Sequence, residues 1–92
     1  MSSLYTFMLE FRGGFYISQY RGRSPREALR RWVKGESRTL TGQWHPKIVD
    51  TLFANFLTEN PIAYEGAVHV WHARTSVGNE HALVQIVATK EA

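Results

Sequence analysis

Two turn signals, Gly13-Gly14 and Gly78-Asn79, each sit inside a stretch rich in strand-forming residues, one near either end of the chain. Two hairpins separated by about fifty residues constrain the fold more than any other feature. From Leu4 to Arg12 apolar side chains recur at every second position, so Tyr5, Phe7, Leu9 and Phe11 share one face of a strand. Gly13-Gly14 tolerates the positive φ of a two-residue turn, and Phe15 to Arg21 reads as the return strand. That register pairs Phe11 with Tyr16 and Phe7 with Tyr20, stacking aromatics on the core face. The opposite face carries Thr6, Glu10, Arg12, Gln19 and Arg21, broken by Met8, Phe15 and Ile17, so it is at best half-covered. Ala67 to Val77 and Glu80 to Thr89 form the second hairpin, with Trp71 facing Ile86 and Ala73 facing Val84.

Between the hairpins the periodicity changes. Ser24-Pro25-Arg26-Glu27 is a capping box with proline at the first helical position, predicting a helix to Lys34 that stops at Gly35. Ala28, Leu29, Trp32 and Val33 form its apolar stripe. Gly35 to Gln43 is polar and reads as the longest loop. A second helix opens at His45-Pro46 and presents Ile48, Val49, Leu52, Phe53, Phe56 and Leu57; Asn60-Pro61 ends it. The prediction is an α+β two-layer sandwich in the order ββααββ: a four-stranded antiparallel sheet with two helices on one face. Strand order is left open. At 92 residues and 43% hydrophobic content, residues 1–92 are expected to form a single α+β domain, with no room for a second core.

Cysteine is absent, which removes disulfides and thiolate metal ligands and suits a reducing compartment. Met1-Ser2-Ser3-Leu4 shows no signal-peptide pattern, and no apolar run approaches the roughly 20 residues needed to cross a bilayer. The expectation is a soluble cytoplasmic protein without membrane association.

Charge is unevenly divided. Nine of the eleven basic residues, with three acidic ones, fall in positions 1–47, giving +6; the remainder, with two basic and five acidic residues, is −3. Arg26, Arg30 and Lys34 recur at four-residue spacing along the first helix. Arg21, Arg23 and Arg38 could extend that stripe into an anion-binding surface. The competing reading is a solvated helix face that keeps a small protein soluble.

Chemistry-bearing motifs are missing. Asp50 is the only aspartate, and no paired carboxylates, nucleophile elbow or phosphate-binding loop is present. His69 and His72 fall on opposite faces of their strand. In the two-residue register His72 and His81 share a face about 13 Å apart. A longer loop, centred between Ser76 and Val77, would bring them opposite each other. No catalytic residue, metal ligand or cofactor is therefore assigned. Arg12 to Tyr20 departs from the ribonucleoprotein signature of RNA-recognition motifs, with Gly14 and Gln19 where aromatics belong. The hairpin and capped helix from Tyr5 to Gly35 resemble in outline the small HicB-like antitoxins, over the first third of the chain. The second helix and long second hairpin depart from that plan.

The leading expectation is a small non-catalytic interaction protein, regulatory, adaptor or inhibitor-type, binding a protein partner through a sheet edge or the basic helix face. Edges of this kind also allow a homodimer. The alternatives are nucleic-acid or other polyanion binding by Arg21, Arg23, Arg26, Arg30, Lys34 and Arg38, and a small enzyme or ligand-binding domain whose site is scattered in sequence.

Overall fold

The computed structural model describes residues 2–91. In chain order the elements are β1 (Ser3–Phe11), β2 (Gly14–Gly22), α1 (Pro25–Thr39), α2 (Pro46–Leu57), β3 (Ile62–Ala63), β4 (Val70–Val77) and β5 (Glu80–Thr89). The strands form one antiparallel sheet in the order β2-β1-β5-β4-β3. The protein is α+β with both helices on one face, as expected, but the sheet has five strands rather than four. The extra strand is Ile62–Ala63, which pairs with His72 and Trp71 immediately after Pro61. Two residues carry no readable alternation, so the sequence pattern could not reveal it.

The second hairpin has the expected register, with Trp71 opposite Ile86 and Ala73 opposite Val84. Ser76 pairs with His81 and Val77 with Glu80, leaving His72 opposite Gln85 and well separated from His81. The first hairpin differs. Its turn is Arg12-Gly13, both at positive φ, and Gly14 belongs to the strand opposite Phe11. Leu9 then faces Tyr16, Phe7 faces Ser18 and Tyr5 faces Tyr20. A Cβ on Gly14 would collide with the Tyr16 ring, so this glycine is needed for the ring's close approach and not for the turn. The shift is two residues along the strand, which preserves the faces.

The first helix also runs further than predicted, through Gly35 to Thr39. The Tyr20 ring lies across Gly35, where any side chain would strike it. Beyond the glycine, Glu36 and Leu40 continue the buried stripe of Leu29, Trp32 and Val33. The Ser37, Thr39 and Thr41 hydroxyls donate to the carbonyls of Lys34, Gly35 and Ser37, so polar residues are accommodated along the helix end. At its start the predicted cap is present. Ser24 Oγ accepts from the Glu27 amide at 3.1 Å, and the Glu27 carboxylate accepts from the Arg23 amide. His45 caps the second helix through Nδ1, which accepts from the Lys47 amide.

The core lies between the helices and the odd-numbered face of β1. Phe7 stacks on Trp32 at 5.4 Å, and Phe53 and Phe56 meet the same indole edge-on. Trp44, just before α2, packs edge-on against Phe11 and Tyr16. Leu57, predicted for the apolar face of the second helix, is instead exposed.

Candidate functional site

The strand register defines the face that the helices leave open. Cross-strand partners share a face, so four rows can be followed across it. The first is Arg21, Leu4 and Thr89; the second is Gln19, Thr6, Val87 and Val70. The third is Ile17, Met8, Gln85, His72 and Ile62; the fourth is Phe15, Glu10, Leu83 and Arg74. Apolar side chains are interspersed on this surface with Thr6, Gln85 and His72. Ile17 is 63% exposed, Ile62 59% and Phe15 53%, while Met8, Leu83, Val87 and Val70 are half-buried between neighbouring strands. Tyr64 lies against the His72 ring, with centroids 4.5 Å apart. A shallow cleft of about 300 Å³ opens among Glu10, Arg74, His81 and Leu83.

Charges at the rim are mostly neutralised. Arg12 donates from Nε to both Glu80 carboxylate oxygens at 2.9 Å, and Arg21 pairs with Glu91. Both pairs join the basic N-terminal half to the acidic C-terminal half, so the asymmetry seen along the sequence is partly cancelled in space. Glu10 and Arg74 form no ion pair among the described residues. They stand in one row on either side of Leu83.

The basic residues singled out from sequence do not form one patch. Arg26, Arg30 and Lys34 line the outer surface of α1, with Arg38 near its end, and all four are exposed. Arg26 donates to Asn60 Oδ1, while Arg31 on the same helix pairs with Glu27 at 3.4 Å. Arg23 precedes the helix cap and is exposed. Arg21 belongs to the open sheet face, on the far side of the sheet from α1, and is tied to Glu91.

One ionisable pair joins a buried carboxylate to a half-buried phenol. Tyr20 Oη donates to Glu36 Oε2 at 2.6 Å, and Glu36 is only 6% exposed. Desolvation, then the hydrogen bond and the negative charge of Glu36, push the Tyr20 phenol well above its ordinary value. The pair sits between β2 and α1 and ties the helix to the sheet. Among the described residues, no three His, Cys, Asp or Glu side chains are grouped to hold a metal ion, and no helix is long and apolar enough to cross a membrane.

Met8, Phe15 and Ile17 carried the only sequence signal for the open face, as apolar residues at positions of polar parity. Their contribution could not be assembled without the strand order, which brings Leu83, Val87, Val70 and Ile62 beside them. Comparison with protein-family models, with curated proteins and with solved structures found no match.

Proposed function

We propose that this chain is a small non-catalytic interaction protein, of regulatory, adaptor or inhibitor type, that docks a protein partner through the open face of its sheet. The observation that carries this reading is the apolar cluster of Phe15, Ile17, Met8 and Leu83 on the open face, with Ile62 exposed beyond Gln85 and His72 and an ion pair at either end. An apolar patch with a polar rim is costly to expose to water and fits association with another protein surface. Neutralisation of Arg12 and Arg21 makes the same face poorly suited to a polyphosphate backbone, which needs unpaired cations. No cofactor enters this reading, and the absence of cysteine suits action in a reducing cytoplasm. A second reading, polyanion binding, rests on Arg30, Lys34 and Arg38, which are exposed along α1 without an ion pair among the described residues.

Affinity capture from native extract, with and without nuclease, separates the two. Phe15→Ser/Ile17→Ser should abolish recovery of a stoichiometric protein partner, and Arg30→Glu/Lys34→Glu should leave it intact. Recovery that depends on nucleic acid, or that fails only in the charge-reversed variant, moves function to the helix.

A further inference from the structure

The open face has a symmetry that narrows its occupant. We propose that a second copy of this chain covers it, sheet against sheet, about a twofold axis running close to β5. This rests on the open face being the docking surface and adds the identity of what docks there.

β5 is the middle strand of five, with β1 and β2 on one side and β4 and β3 on the other. A twofold axis along β5, lying in the plane between two stacked sheets, sets β1 over the partner's β4 and β2 over its β3. Residues in one row stay level. Glu10 then meets the partner's Arg74, and Arg74 meets the partner's Glu10, so each unpaired charge on the face acquires its opposite. Leu83 and Val87 meet their own copies, and Ile17 meets the partner's Ile62.

Other in-plane axes fail on charge. An axis between β1 and β5 sets Glu10 over the partner's Leu83 and leaves a carboxylate desolvated without a counter-ion. An axis across the strands keeps β1 over β1 and never brings Glu10 to Arg74.

Area also suffices. Four long strands about 4.8 Å apart and about nine residues long, at roughly 3.3 Å per residue, give a projected face of roughly 570 Å². Side-chain relief and the β3 segment raise the accessible area toward the roughly 800 Å² per partner of a standard interface. Sheets packed in this manner lie about 10 Å apart with strands inclined by about 30°, a separation that long side chains such as Glu and Arg can bridge.

Sedimentation velocity of the full chain over a range of concentrations tests the proposal, with circular dichroism confirming that each variant folds. The wild type should sediment as a dimer. Glu10→Arg and Arg74→Glu should each weaken dimerisation by roughly 30-fold or more, the loss expected on truncating or reversing one member of a desolvated pair. The double swap Glu10→Arg/Arg74→Glu should restore it. Leu83→Glu should give a folded monomer; if it does not fold, Ile17→Lys at an exposed position replaces it.

A dimer indifferent to both single swaps, as pairing along the outer edge of β2 would produce, overturns the proposal. So does a wild-type chain that stays monomeric at every concentration. A monomer that still loses its captured protein partner on Phe15→Ser/Ile17→Ser removes the second copy and leaves the docking face standing. A monomer whose capture is unchanged by that substitution removes both.

Discussion

Phe7 and Met8 are neighbours in β1 and point to opposite sides of the same sheet. Phe7 is fully buried and stacked on Trp32, whereas Met8 is only half-covered and sits beside Ile17, which is mostly in water. The two faces share strands and twist, and both carry apolar residues, yet only one has helices over it. What distinguishes them is the rim. The covered face is closed by aromatic edges such as Trp44 against Phe11 and Tyr16, while the open face is bounded by Arg12–Glu80 and Arg21–Glu91. Apolar character alone therefore does not identify a core. A paired, solvated rim around uncovered apolar residues is what supports the proposed reading of this face as a docking surface.

The comparison breaks most severely if Trp32 is removed. Trp32→Ala takes away the ring that Phe7, Phe53 and Phe56 contact, and should destabilise by about 3–5 kcal/mol in denaturant unfolding. A neutral result would mean that α1 is not held to the covered face through this stripe.

Tyr20→Phe comes next. It strips Glu36 of its hydrogen-bond donor and should cost about 1–3 kcal/mol. The wild type should also show an alkaline dependence of fixed sign. Its folded phenol is held above the ordinary value, so the unfolded chain ionises first. The associated stability is complete below a pH of about 10 and declines as pH rises above it. Unfolding midpoints measured over alkaline pH should fall less steeply in Tyr20→Phe than in wild type.

Ile17→Ser, on the open face, sharpens the contrast. Its effect on the stability of a monomer should stay within about 0.5 kcal/mol, while association through that face is lost. A large loss of monomer stability would show that the open face contributes to the fold itself. The smallest effect is expected from Arg30→Glu/Lys34→Glu. Thermal unfolding should change by a comparably small amount, and the salt dependence of partner binding should not change at all.

Legibility in the sequence followed the range of the forces involved. The capping box at Ser24–Glu27 and the Gly78-Asn79 turn are local devices, and both stand where their spacing placed them. Gly35 has the look of a helix stop, but its reason lies elsewhere in the chain: the Tyr20 ring requires an absent side chain there, and the helix continues through it. Gly14 has the look of a turn residue but serves the same kind of close approach, with Tyr16 as the neighbour. Strand order is set by contacts between the ends of the chain, which no local pattern reports. The open face followed from that order. Met8, Phe15 and Ile17 could be seen as misplaced apolar residues, but not as part of a surface that also includes Leu83 and Ile62. The basic stripe was legible on α1, whereas the expected contribution of Arg21 failed because strand parity sends it to the other side of the sheet.

The pairing of β1 with β5 also has a temporal consequence. Leu4 lies opposite Thr89 in the ladder, so β1 waits for β5 to be made before its inner edge is paired. Until then the nascent chain can form the β1–β2 hairpin and begin to dock α1 on it, with a sheet edge of aromatic alternation unprotected. Closing a contact between strands as far apart in sequence as β1 and β5 carries a large loop entropy, and such topologies fold slowly. Emergence of β5, rather than of any earlier element, is therefore the step at which this sheet becomes whole, and loss of that strand should leave an aggregation-prone fragment instead of a smaller version of the fold.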